Sequence, residues 1–273
     1  MTTAGVTARF NFCRALLSII VMRKFGIIIA AALLACTACP AQKSPTGLLV
    51  DGQVWKYSVS LGPVKAGNAS LSMKSATVGT QKAYKLTLIM QTSKAADRIF
   101  HMNDTLVSTV SADMEPISFW KHSIEGDFEV IERASFRKDG NDYDVHMEKT
   151  RKSQTKTLDT SSNIPVYDMV SIIMETRNMD FKKLTPGKRL EYRIADYLTV
   201  KTEYLEYQGR EKLRIDGKSI DCLVFTLIEP EVQGSRAKEN ELLRIYIADD
   251  AAHKPVGIDF NLKFGTAKAR LMQ

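Results

Sequence analysis

The stretch Gly52–Met73 reads GQVWKYSVSLGPVKAGNASLSM, and it decides the fold class of this chain. In its first half Trp55, Tyr57 and two further apolar residues alternate with polar ones. This period of two is typical of a half-buried β-strand. Gly62-Pro63 interrupts the alternation, because proline cannot donate to a strand ladder and glycine tolerates turn angles. The stretch therefore predicts two antiparallel strands joined by a tight turn, with Trp55 buried.

The same alternation continues along most of the chain, and an Asp-Gly pair within Lys138–Asn141 marks a further hairpin. No linker divides these segments. We therefore predict a mainly β fold, in which a large antiparallel sheet curls into a barrel or sandwich with one helix packed on it. The further strands are predicted at 84–90, 100–110, 117–124, 128–137, 143–150, 189–194, 197–207, 211–214, 221–227, 241–247, 255–260 and 267–272.

The helix is predicted over Val166–Arg177, where apolar residues cover a broad face without Gly or Pro. Burying an isoleucine side chain contributes about 1.5–3 kcal/mol. We therefore expect the helix to lie on the concave face of the sheet, with Met169, Ile172 and Ile173 inward and Glu175 outward. The three inward residues would either plug the core or line an apolar groove.

The first 41 residues have the features of an export signal. Met22-Arg23-Lys24 is a short positive segment, and an apolar run follows over Phe25–Leu34. This run is too short for a membrane-spanning helix, which needs about 20 residues. We predict a signal peptide over residues 1–41, with Met22 as the favoured translation start, and a single β-rich envelope domain over residues 42–273.

Two processing sites compete at the end of this leader. Cleavage after Ala41 would release a soluble protein, which is the outcome we favour. Leu33–Cys36 instead resembles a lipobox, in which Cys36 would be lipidated, and only then do we expect membrane association. Both alternatives place the folded part in the periplasm or cell envelope of a bacterium.

Charge and cysteine content exclude some partners. The chain has 38 basic and 31 acidic residues, but the leader holds four of the basic residues and no acidic ones. The remainder is nearly balanced, whereas a nucleic-acid-binding domain keeps a clustered basic excess. We expect no nucleic-acid partner. Cys222 is the one cysteine after the leader, so we also expect no disulfide partner, and its apolar neighbours predict a buried thiol.

Several short motifs stand in order along the chain. They are Gly52-x-x-Trp55-x-Tyr57-x-Val59, Ala66-Gly67-x-Ala69-x-Leu71, Tyr167-Asp168 through Arg177, Pro186-Gly187 with Asp196, Tyr207-Gln208-Gly209-Arg210-Glu211, and Lys254-Pro255-Val256-Gly257-Ile258. In this order and spacing the chain resembles an exported bacterial family catalogued as domain of unknown function 3108. The resemblance covers most of residues 42–273. It implies a β-rich envelope protein and supplies no catalytic residues.

The sequence contains no strong catalytic signature. There is no G-x-S-x-G, P-loop or G-x-G-x-x-G motif, which disfavours common hydrolases and nucleotide-binding proteins. The four histidines lack the spacing of metal ligands. We therefore predict no metal and no cofactor, and we lean toward a non-enzymatic protein.

Three functions fit these observations. The leading one is binding of a lipid-like or other hydrophobic molecule in a groove at Met169, Ile172 and Ile173, because a curled sheet of eight or more strands can enclose a ligand. The alternative is an interaction or assembly protein of the envelope with a filled core. The third is a hydrolase with an unrecognised carboxylate site, since paired carboxylates meet only in three dimensions.

The leader gives the first testable prediction. In the native host we expect the mature chain to begin at Gln42, because small residues precede the bond after Ala41. Amino-terminal sequencing and intact-mass measurement of the exported protein check this. A lipid-modified Cys36 at the amino terminus would contradict it.

Overall fold

The computed structural model describes residues 48–233, 236–262 and 265–272. The predicted leader, with Cys36 and Ala41, lies outside these residues. In the described ranges the chain forms a 15-stranded sheet. The strands are β1 (Val54–Leu61), β2 (Val64–Val78), β3 (Gln81–Thr92), β4 (Met102–Ser111), β5 (Pro116–Glu125), β6 (Phe128–Asp139), β7 (Asp142–Arg151), β8 (Gln154–Ser162), β9 (Val166–Tyr167), β10 (Arg189–Asp196), β11 (Thr199–Ile215), β12 (Lys218–Gln233), β13 (Arg236–Ala248), β14 (Pro255–Leu262) and β15 (Gly265–Leu271).

The sheet is a meander of mostly antiparallel neighbours. Its order runs β8-β7-β6-β5-β4-β3-β2-β1-β15-β14-β13-β12-β11-β10-β9. Strands β1 and β15 pair at the centre, where Tyr57 lies between Ala69 of β2 and Leu271 of β15. Only β9 runs parallel to its neighbour, β10. The first and last strands of the described chain thus join two halves, β1–β8 and β9–β15.

The sheet is a nearly closed barrel. Strands β8 and β9 are its two edges, yet β8 ends at Ser162 and β9 begins at Val166. Four residues of extended chain span at most about 14 Å. The two edges therefore lie close together at this end, and the connection itself brings the sheet toward closure.

Helix α1 (Met169–Glu175) follows β9 and is continued by a 3-10 turn, Thr176–Asn178. It is shorter than the predicted helix because Asp168 has an extended backbone and forms the N-cap, accepting hydrogen bonds from the amides of Val170 and Ser171. Two further 3-10 turns cover Ala96–Arg98 and Phe181–Lys183. Among the described helices, none has the length and apolar character needed to cross a membrane.

Helix α1 packs against β3, β4 and β10. Ile172 and Ile173 are buried in the main core, as predicted. The expectation that Glu175 faces solvent was wrong: its exposed fraction is 2%. The helix is surrounded by protein rather than resting on one face of the sheet, so every residue from Val170 to Glu175 is buried.

Most strands lie where they were predicted from the sequence, and the opening hairpin is confirmed. Trp55 and Tyr57 are 6% and 1% exposed. Strand β8 was missed, because it is exposed along nearly its whole length and has no apolar face. The strands predicted at 197–207 and 211–214 are one strand, β11, in which a bulge at Gly209 interrupts the register.

Gly67 in β2 shows how closely neighbouring backbones approach. A Cβ atom at this position would lie 2.2 Å from the carbonyl oxygen of Gln91 in β3. Glycine is required here because the obstacle is backbone and cannot swing away. This contact accounts for the glycine in the second motif of the opening hairpin.

The buried helix generates the second prediction. Ile173→Ala should lower the free energy of unfolding by about 2–5 kcal/mol, since it opens a cavity in a packed core. Met169→Ala on the same helix is the control, because Met169 is only partly buried and should cost less. Denaturant melts of the two variants measure both losses, and an equal small loss would show that α1 is not packed inside the sheet.

Candidate functional site

A cavity lies beside the end of helix α1, and we call it the helix-end cavity. Its volume is about 390 Å³. Met114, which is buried in its wall, has a φ of 66°. A side-chain-bearing residue rarely adopts such a backbone, and this strain marks the turn between β4 and β5. The lining comprises the largely apolar Leu48, Leu49, Tyr84, Ala112, Met114 and Met174 and the polar Lys82, Asp113, Arg177 and Asn178.

Arg177 places a buried cation in this lining. Its side chain donates three hydrogen bonds to backbone carbonyl oxygens: Nε to His253 at 2.8 Å, Nη1 to Leu48 at 3.1 Å and Nη2 to Ala252 at 3.0 Å. Burial lowers the pKa of Arg177 to about 10, which leaves it charged at neutral pH. No ion pair joins it to a carboxylate within the described ranges.

Arg177 also connects parts of the fold that are distant in sequence. Its guanidinium carbon lies 4.7 Å from the centre of the Trp55 ring, a cation–π contact. The hydroxyl of Tyr57 donates a 2.7 Å hydrogen bond to the carbonyl of Pro255, at the start of β14. The cavity wall is therefore held by β1, by the loop between β13 and β14, and by the segment that begins at Leu48.

A second group of polar residues lies inside the sheet, and we call it the charged row. Lys121 of β5 lies opposite Glu132 of β6, and Glu132 lies opposite Lys149 of β7, so their side chains share a face. Lys121 and Glu132 are 7% and 4% exposed. Charged residues this deeply buried are uncommon in a sheet interior.

Tyr197 from the other half of the sheet docks on the charged row. The amide of Tyr197 donates to Glu132 Oε2 at 3.3 Å, and Lys121 Nζ donates to the Tyr197 hydroxyl at 3.3 Å. Lys121 Nζ and Lys149 Nζ lie 4.4 and 4.0 Å from the centre of its ring. The tip of the β10–β11 hairpin thereby links strands on both sides of the nearly closed sheet.

This hairpin tip is strained. Tyr197 and Leu198 have φ values of 46° and 59°, in the left-handed region where such tight turns normally place Asn and Gly. Each such residue costs about 1–3 kcal/mol unless its surroundings hold it. The contacts of Tyr197 with Lys121, Glu132 and Lys149 offset that cost.

Four carboxyl groups near the charged row have raised pKa values, with burial as the largest cause. The pKa of Glu125 rises to about 7, that of Asp196 to about 6 and that of Glu203 to about 8, and that of Asp104 also rises. Glu229 and Asp196 add repulsion at Glu203. At neutral pH Glu203 therefore largely retains its proton, whereas Asp196 is largely ionised.

The two sites differ in chemistry. The helix-end cavity combines apolar walls with one buried cation, which suits a small ligand. The carboxyl groups near the charged row, among them Glu125 and Glu203, can hold or release protons as the pH changes. In the ranges that the structure describes, no three His, Cys, Asp or Glu side chains are grouped so as to hold a metal ion.

The predicted groove residues do not line the helix-end cavity. Ile172 and Ile173 lie in the packed core, and Met169 is partly exposed at its margin. Met174 of the same helix does line the cavity. An apolar groove at Met169, Ile172 and Ile173 stays a prediction. Arg177 was not singled out, although a lone basic residue at the end of an apolar helical run was a visible signal.

The family model described as "Protein of unknown function (DUF3108)" matches residues 56–272. The chain belongs to this family. The match confirms the resemblance seen in the sequence motifs, and it includes both the charged row and most of the helix-end cavity. No curated protein matches the chain.

The fold also occurs outside the DUF3108 family. A crystal structure of a beta-barrel-like protein of domain of unknown function DUF1849 from Brucella abortus is similar to this chain, with a TM-score of 0.52 and 10% sequence identity. The similarity covers 81% of this chain and 95% of the other. At this identity the likeness shows the barrel-like fold alone, which confirms the predicted fold class.

The raised pKa of Glu203 gives the third prediction. Burial favours the neutral carboxyl group of Glu203. The contribution of Glu203 to folding stability is therefore complete below its ordinary pKa near 4.5 and is lost as the pH rises to about 8. Each pKa unit by which the folded and unfolded states differ corresponds to about 1.4 kcal/mol of folding free energy. Glu203→Gln should therefore flatten the fall in thermal stability between pH 5 and pH 8.

The matched control for this prediction is Glu191→Gln, an exposed glutamate on the neighbouring strand β10. It should leave the pH dependence of the melting temperature as in the wild type. If the melting temperatures of Glu203→Gln and the wild type fall by the same amount between pH 5 and pH 8, Glu203 is not the group whose protonation stabilises the folded protein.

Proposed function

We propose that this protein is a non-enzymatic binding protein of the bacterial cell envelope, and that it holds a small hydrophobic or lipid-like molecule in the helix-end cavity. The observation that carries the proposal is a cavity of about 390 Å³ with a mostly apolar lining. Sites for small molecules are typically concave and apolar with a few polar groups, and they measure about 300–1,000 Å³. The export leader predicted from the sequence supports the envelope location.

The lining supports a flexible ligand. Met114 and Met174 are both buried in the wall, and methionine adapts its shape more readily than branched side chains. Leu48 and Leu49 are partly exposed and form another part of the wall. An apolar chain that enters beside these leucines would replace water along most of its length, and its burial would drive binding.

The second candidate is an interaction or assembly protein. Strand β8 favours it, because this edge strand pairs only with β7 and is exposed along nearly its whole length. An exposed edge offers unpaired backbone groups to another strand. Here the partner would bind outside the sheet, and filling the helix-end cavity would leave that interaction unchanged.

Binding of the neutral fluorescent probe N-phenyl-1-naphthylamine tests the proposed function. The wild type should enhance the fluorescence of the probe in a saturable way. Ala112→Phe should weaken binding about tenfold or more, because the phenyl ring takes up space that the ligand needs. Ala112 is partly exposed at a turn in the cavity lining, so the larger residue should be tolerated.

Ala95→Phe is the matched control, since it makes the same change at an exposed position in the loop before β4. It should bind the probe like the wild type. Equal binding by wild type, Ala112→Phe and Ala95→Phe would place the probe elsewhere and contradict the proposal.

A further inference from the structure

We infer that the ligand of the helix-end cavity is a single-chain amphiphile with an anionic headgroup, and that Arg177 binds this headgroup. The inference rests on the proposed function and specifies the class of molecule. It is carried by the hydrogen-bonding and charge environment of Arg177.

The guanidinium of Arg177 has unused donors. A guanidinium carries five N–H groups, and three of those in Arg177 are used by the carbonyls of Leu48, Ala252 and His253. All three acceptors are backbone atoms, which fix the plane of the guanidinium. One N–H on each terminal nitrogen makes no hydrogen bond to the described protein, and Arg177 lines the helix-end cavity, so two oxygens of one headgroup can accept from these two donors.

The charge of Arg177 lacks a counterion within the described part of the chain. Carbonyl dipoles and the Trp55 ring stabilise the cation, yet neither neutralises it. Burial lowers its pKa, so the protein bears the cost of a desolvated positive charge. A carboxylate beside Arg177 would supply the missing charge in a setting where an ion pair is hardly screened by water.

The other polar lining residues divide into a buried one, beside Arg177, and two exposed ones, at the rim of the cavity. Asn178 is buried beside Arg177 in the sequence and offers amide donors. Lys82 and Asp113 are exposed, and Lys82 Nζ lies 5.4 Å from the centre of the Tyr84 ring. Because Lys82 and Asp113 carry opposite charges, the rim has no net charge to attract an anion, so the headgroup belongs at Arg177 and the chain lies along the apolar wall.

Displacement of N-phenyl-1-naphthylamine by three molecules of equal chain length tests the inference. Octanoate, octan-1-ol and octylamine carry a negative, a neutral and a positive headgroup. Octanoate should displace the probe from the wild type at a concentration about tenfold lower than octan-1-ol, as expected for charge-assisted hydrogen bonds, and octylamine should be the weakest. Equal displacement by all three, or a preference for octylamine, overturns the inference.

Variants of Arg177 assign the preference to this residue. Arg177→Met should abolish the advantage of octanoate over octan-1-ol, and Arg177→Lys should restore part of it. An unchanged preference in Arg177→Met would show that another group binds the anion. If a thermal melt shows that Arg177→Met is unfolded, the wild-type displacement ranking and Arg177→Lys still test whether Arg177 binds the headgroup.

The two proposals fail in different ways. If the probe does not bind the wild type, or Ala112→Phe does not weaken its binding, the proposed function fails. If the probe binds in the cavity and headgroup charge has no effect, only the anionic class is wrong. Lys82→Gln provides a further control, since loss of an exposed rim cation should change the octanoate preference less than Arg177→Met.

Discussion

The short connection between β8 and β9 is the constraint on which the rest of this structure depends. These strands are the two edges of the sheet, and only the three residues between Ser162 and Val166 connect them. The chain then enters the sheet as helix α1, where Asp168 caps the helix and accepts a 2.7 Å hydrogen bond from Ser108 of β4. The connection that brings the two sheet edges together therefore also places the helix inside the curled sheet, where it is buried.

The interior contains two environments in which buried charge is stabilised in different ways. At the helix end, Arg177 keeps its charge because three backbone carbonyls and Trp55 surround it. In the charged row, Lys121 is stabilised by the Tyr197 ring, and near the row Glu203 reduces its charge by retaining a proton. Both solutions lower the cost of burial, and at the helix end the fixed charge of Arg177 lies beside an open volume. This combination is why we propose the cavity as the ligand site.

The strands and the hairpin turns could be predicted because they leave local traces in the sequence. A strand with one buried face repeats its apolar residues every second position, as in Trp55 and Tyr57. Strand β8 has no buried face, so the same reasoning could not find it. The outward position assigned to Glu175 assumed a helix with one solvated side. That assumption fails once a sheet surrounds the helix, and no local pattern reports such enclosure.

The candidate sites were harder to predict because their residues meet only through strand register. Lys121, Glu132 and Lys149 are adjacent because three strands align, and Tyr197 reaches them only because the sheet nearly closes. A partial signal was nevertheless present. Lys121 lies in phase with the buried Phe119 of the same strand, as Glu203 does with Leu205, so a charge stands where the alternation demands an apolar residue. Such out-of-place charges identify interior polar groups from sequence, whereas their partners require the assembled sheet.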